Sequence, residues 1–207
     1  MDIDPTKTSV RDMYQHMIAC ITPRPIAWVS SLSPNSVPNL APFSFYSGVA
    51  ANPPTVVFSV VNKRDGSKKD TVRNIEAVPE FVLNVVSERL AGSMNASAGE
   101  YAYEQDEFVH CGLTPAPAQC VRPPRVKEAL VHIECKLHEI VHVGAGPLAA
   151  NLIIGRIVLI HAEDAAVDAQ GQIDPAKLDT IGRMGGQFYA RTRDRFALER
   201  PRVTPRG

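Results

Sequence analysis

Along residues 131–138 apolar and polar side chains alternate one by one. Val131, Ile133, Cys135 and Leu137 fall on one face, and His132, Glu134, Lys136 and His138 on the other. A period of two marks a strand with two unlike faces, and it predicts a strand over Val131–Val143. The run from Leu152 to Ile160 is apolar toward both faces, which places a strand over Asn151–Ala162 centrally in a sheet. Shorter runs predict strands over Ile26–Ser31, Leu40–Tyr46, Thr55–Val61 and Glu80–Val86.

Helical signals are fewer. Asp70 reads as a capping residue opening a helix of about two turns through Ile75. Glu88–Ala96 sets Leu90 and Met94 on one helical face, and Asp174 before Pro175 predicts one turn to Leu178. Residues Gly99–Pro124 have no sustained period and read as a long loop anchored by Asp106-Glu107-Phe108, of the kind that serves as a lid or an interface arm. Glu199–Gly207 reads as a surface tail.

Seventeen prolines and thirteen glycines cut the chain into short segments, which favours a mainly β fold over a helical bundle. A length of 207 residues suits one domain over 1–207. Lys plus Arg equals Asp plus Glu at 22 each, so no net field draws nucleic acid or an acidic membrane. No run approaches the roughly 20 apolar residues that span a bilayer. The opening Met1–Asp12 lacks the basic start and apolar middle of a signal peptide, so a cytoplasmic protein is expected.

Cys20, Cys111, Cys120 and Cys135 form no C-x-x-C pair and read as reduced packing thiols. His132, His138 and His142 beside Cys135 do not have the spacing of a metal site, because Cys135 faces away from His132 and His138 on a strand. They read as an exposed or subunit-facing stripe, and no metal is expected.

Three segments carry candidate chemistry. In Ile26–Gly48 the small polar residues Ser30, Ser31, Asn39 and Ser44 mix with Ala41, Pro42 and aromatics. They either serve a turn or line a surface where something flat and polar docks. Pro42 lacks a backbone donor, so its strand belongs at an edge or a bulge. Lys68-Lys69-Asp70-Thr71 is either a solvated basic turn capped by Asp70 or an anion site at a helix start. Gly182–Arg191 is either a surface loop or a tight bend bringing an aromatic and two arginines to a pocket. There is no dinucleotide fingerprint, phosphate loop or G-x-S-x-G elbow.

The order of these segments is more telling than any one of them. Thr22-Pro23-Arg24-Pro25-Ile26-Ala27-Trp28-Val29-Ser30-Ser31, Pro38–Phe45, Asn52-Pro53-Pro54, Lys69–Ile75, Phe81–Val86, Asp106-Glu107-Phe108, Pro123–Val126 and Arg183–Arg191 together resemble the flavin reductase-like family, in its flavoredoxin-type branch. The resemblance runs over roughly residues 10 to 200. It implies a split β-barrel with a few short helices, a homodimer, and FMN at or near the dimer interface. It also implies NADH or NADPH as electron donor, or service as an electron carrier to a protein partner.

Carried over residue by residue, the resemblance lays Ser30, Ser31, Asn39, Ala41, Pro42 and Ser44 along the flavin. It puts Lys69, Asp70 and Thr71 at the phosphate and assigns a weaker polar pair to Asn95 and Ser97. Tyr189 and Arg191 close over the site, from the same or the other subunit. The chemistry then belongs to the cofactor, with no side chain as general acid or nucleophile. Three functions stay in play: an NAD(P)H-dependent reductase, an FMN carrier, and a barrel that has lost flavin, against which Lys69 and Thr71 argue.

Overall fold

The computed structural model describes residues 1–201. Helix α1 (Val10–Cys20) leads into strands β1 (Ala27–Leu32), β2 (Pro38–Phe43), β3 (Tyr46–Ala51) and β4 (Pro54–Val61). After α2 (Asp70–Ala77) come β5 (Glu80–Asn84), α3 (Ala91–Ala96), α4 (Glu107–His110), β6 (Pro115–Ala116) and β7 (Arg125–Val126). The long strands β8 (Val131–Val143) and β9 (Ala150–Ala162) precede α5 (Pro175–Leu178) and the small hairpin of β10 (Ile181–Arg183) and β11 (Tyr189–Arg191). Among the described residues no helix is long and apolar enough to cross a membrane.

Seven strands form one sheet in the order β2-β1-β5-β8-β9-β4-β3, with every pair of neighbours antiparallel. The sheet curls until its two ends touch but does not close. Phe43 stacks on Phe58 with ring centroids 5.7 Å apart, and the Ser59 N–H donates to Phe45 O at 2.8 Å. The fold is the expected split barrel, with Pro42 on the edge strand β2 that its missing N–H suits.

Inside the curl lie Ala27, Val29, Phe43, Phe58, Phe81 and Ile153, and α2 adds Val72 and Ile75. Gly155 makes this packing possible: a Cβ there would stand 2.3 Å from Phe81 Cζ. The other face of the β1–β2 hairpin, with Trp28 and Leu40, packs on Val86, Met94, Phe108 and Val126. That hairpin is therefore covered on both sides, and β9 sits inside the sheet between β8 and β4 as its apolar run requires.

Several expectations change. The segment Leu40–Tyr46 is not one strand; it breaks at Ser44–Phe45, where the chain turns from β2 into β3. The loop Gly99–Pro124 contains α4, with Asp106 Oδ1 accepting from the Phe108 N–H at 2.8 Å, and it buries Glu107 and Phe108 as its anchor. Helix α1 was not foreseen. Its start is capped by Ser9 Oγ, which accepts from the Asp12 N–H at 3.1 Å. Of the tail Glu199–Gly207, residues 202–207 lie outside the described residues.

The histidine stripe also divides. His138 and His142 are exposed, but His132 is fully buried and its Nε2 pairs with Val126 O at 2.8 Å. Glu134 beside it is fully buried as well. It accepts from the N–H groups of Gln119 (2.8 Å) and Cys120 (2.6 Å) and from His161 Nε2 (2.5 Å). Burial pushes this carboxyl up, but the two N–H groups and His161 together hold it below the usual range. The reason is remote in sequence: segment 114–126 folds back over the polar face of β8 and gives it a second cover.

Candidate functional site

The predicted site residues begin at the junction of the β1–β2 hairpin with α2. Ser31 and Asn39 stand opposite each other in the ladder, so their side chains share a face. Thr71 and Asn74 project onto them from α2. Thr71 Oγ1 donates to Asn39 Oδ1 at 3.0 Å, Ser31 Oγ to the same oxygen at 3.3 Å, and Asn74 Nδ2 to Ser31 Oγ at 3.2 Å. Asn39 Nδ2 in turn donates to Glu107 Oε1 at 2.7 Å, while the Leu40 N–H donates to Oε2 at 3.1 Å. Tyr103 OH closes the far end on Asn74 Oδ1 at 2.9 Å. Burial raises the Glu107 carboxyl, and the bonds from Asn39 and Leu40 oppose that rise.

This buried network is a brace between strand, helix and loop. Ser31 and Thr71 reach no surface, and Asn39 is nearly as enclosed. Ser30 is likewise fully buried on the opposite face, its Oγ donating to Pro124 O at 2.5 Å. In the folded chain these hydroxyls and amides are paired inside: Ser30 with Pro124 O, and Ser31, Asn39 and Thr71 with one another and with Glu107. Asn74 and Tyr103 were not among the candidates, and the i, i+3 spacing of Thr71 and Asn74 was the signal for the first.

Lys69 is different. It occupies the N-cap position of α2 and no side chain caps that helix start, so Asp70 is the first helical residue and not the cap. Asp70 instead pairs with Arg73 at 3.1 Å and Lys63 at 3.7 Å, and Lys68 pairs with Glu76. Lys69 Nζ has no hydrogen bond or ion pair among the described residues, although the residue is half-buried. Burial lowers its pKa, Lys63 adds to that, and Glu100 and Asp70 oppose it. A desolvated cation without a partner, at an uncapped helix start, is a place for an anion.

The remaining candidates lie elsewhere. Ser97 is buried against Trp28, whose Nε1 donates to Ser97 Oγ at 2.9 Å. Asn95 Oδ1 accepts from Tyr189 OH at 3.3 Å, and Arg191 Nε donates to Glu88 Oε1 at 2.5 Å. These four gather on the Trp28 side of the hairpin, away from the face that meets α2. Ser44 Oγ accepts from Arg24 Nε at 3.2 Å. Arg24, read only as part of a motif, is itself buried and reaches Ile18 O at 2.9 Å and Met184 O at 3.0 Å. Its pKa is lowered first by burial. Ala41 and Pro42 are half-buried along the β2 edge.

One chain therefore assembles two groups of candidates on opposite faces of β1–β2, with an unpartnered cation beside one of them. Lys69 is thus the candidate whose charge is left open to an anion. Among the described residues no group of three or more His, Cys, Asp or Glu is arranged to hold a metal.

A family model described as "Flavin reductase like domain" matches residues 19–177. An uncharacterized protein of Aquifex aeolicus is 39% identical over 179 residues, spanning 86% of this chain and 89% of that protein. The crystal structure of nitrilotriacetate monooxygenase component B from Bacillus cereus is 34% identical, with a TM-score of 0.91 over 96% of this chain and 98% of that one. The structure of Pseudomonas fluorescens 2-nitrobenzoate 2-nitroreductase is 28% identical, with a TM-score of 0.86 over 99% of this chain and 98% of the other.

Proposed function

The chain belongs to the flavin reductase-like family, and from that premise we propose that it is an FMN-binding oxidoreductase in which NADH or NADPH reduces the flavin. The single observation that carries the cofactor is Lys69, a half-buried cation with no partner among the described residues, at the uncapped start of α2. Its ammonium and the first N–H groups of the helix would hold the phosphate. Asp70 would repel a phosphate there, but its charge is matched by Arg73 and Lys63. Thr71, Asn39 and Ser31 act one step back, fixing α2 to the hairpin so that the phosphate end keeps a set position relative to the β2 edge at Ala41, Pro42 and Ser44.

When bound, the flavin supplies a ring that accepts hydride at N5, and the chain supplies binding, orientation and control of solvent. Asn95, Tyr189 and Arg191 lie on the other face of the hairpin, so a site combining them with Lys69 takes its second half from a partner copy. A homodimer is proposed on that ground. The named neighbours, a monooxygenase component and a nitroreductase, support a redox role.

The test is a titration of purified protein with FMN and riboflavin, for the wild type and Lys69→Ala. FMN affinity should fall about tenfold or more in the variant, the loss expected for one charge-assisted contact, while riboflavin is unaffected. Equal losses for both flavins would remove the phosphate from Lys69. Anaerobic addition of NADH or NADPH should bleach the bound flavin. A flavin that stays oxidised with both nucleotides identifies a carrier fed by a protein partner.

A further inference from the structure

Helix α1 places Val10, Met13, Tyr14 and Met17 at the spacing of a single apolar face. Only Ile18 of this helix is buried; Val10, Tyr14 and Met17 are exposed. The stripe overhangs a groove of about 1050 Å³ that is also lined by Phe45, Ser59, Val61, Leu148 and Ala150. Its aromatic pair, Tyr14 and Phe45, meets edge to face at 6.5 Å. Two arginines, Arg11 and Arg64, line the same groove. Among the described residues neither has a hydrogen bond or an ion pair, and no Asp or Glu lines the space.

An apolar floor with an aromatic corner selects a flat hydrophobic body. Two arginines unpaired among the described residues, with no acid in the lining, select a negative charge on it. We infer that this groove binds a planar aromatic carboxylate, its ring against Tyr14, Phe45 and the methionines and its carboxylate toward Arg11 or Arg64. A bare phosphate would leave the apolar floor unused, and a neutral arene would leave the arginines unused. None of the residues assigned to the flavin lines this groove, so the inference stands apart from the cofactor reading.

Benzoate is the probe and benzyl alcohol its uncharged counterpart, both measured by equilibrium dialysis against the full chain as purified. Benzoate should bind at least about tenfold more tightly than benzyl alcohol, as expected for one charge-assisted contact. Arg11→Gln or Arg64→Gln should remove most of that preference and leave benzyl alcohol unchanged. Met13→Trp, which fills the groove, should weaken both ligands with the melting temperature preserved. Equal affinities for the two ligands, no uptake of benzoate, or indifference to all three substitutions overturns the inference. So does a dimer in sedimentation that Met13→Trp turns into a monomer, since the groove would then be covered by a second copy.

Discussion

Helices α1 and α2 are both amphipathic, but the barrel treats them differently. Helix α2 sinks Val72 and Ile75 into the main core, and its buried polar residues Thr71 and Asn74 are paired with Asn39, Ser31 and Tyr103. Helix α1 is held at its ends. Ser9 caps its start, and Arg24 gathers the carbonyls of Ile18 and Ile21 at its finish. Between those ends its apolar face stays open over a groove. Apolar pattern alone does not say whether a helix will be core or wall. What decides is whether the opposing surface offers matching polar partners along with apolar ones, and at the hairpin it does.

The contrast is broken most severely at Ile75. It is fully buried in the barrel core, so Ile75→Ala should cost about 3 kcal/mol through lost burial and a residual cavity. Urea unfolding of the two proteins measures it. A loss below about 1 kcal/mol would mean that α2 is no more committed to the core than α1.

A middle-sized effect concerns the acid beneath α2. Glu107 has its pKa raised, chiefly by burial, so the folded state binds its proton more tightly than the unfolded chain does. The stability from this group is fully present below the unfolded value near 4.5 and is lost as pH rises through the raised folded value. Glu107→Gln removes that titration. The stability of the wild type relative to the variant should therefore fall as pH climbs from 4, then level off. A difference that is flat over this range would show that the carboxylate is well solvated, and one that grows with pH would show that the bonds from Asn39 and Leu40 outweigh burial.

How much of this was legible beforehand follows from the same physics. The alternation at Val131–Leu137 and the apolar run of β9 each report on a single strand and its faces, and both were placed correctly in the sheet. Pro42 announced an edge because a missing donor is a local fact. His132 and Glu134 misled because the cover over them comes from segment 114–126, which no periodicity within β8 can register. For the site, Lys69 stood out as a basic helix start, but the inward commitment of Ser30, Ser31 and Thr71 could not be read. A serine on a half-buried strand pairs with whatever lies across from it, and Pro124, Asn39 and Asn74 became neighbours only in the fold. Helix α1 was the plainest omission. Ser9 with Asp12 is a capping pattern, and the stripe from Val10 to Met17 follows directly.

The smallest expected effect is the sharpest test of the open helix. Met17 is exposed on the groove side of α1, and Met17→Ala exchanges one good helix former for another. If the stripe is a wall and not core, the change in unfolding free energy should stay within about 0.5 kcal/mol, the range of surface substitutions. It should also be independent of protein concentration, as it must be when no second copy covers that face. A loss above about 1.5 kcal/mol that grows on dilution would place a second copy over α1, since only an intermolecular contact weakens by mass action. The same loss at every concentration would instead mean that α1 closes onto the barrel in solution, and the groove would then be a transient opening with no standing room for a ligand.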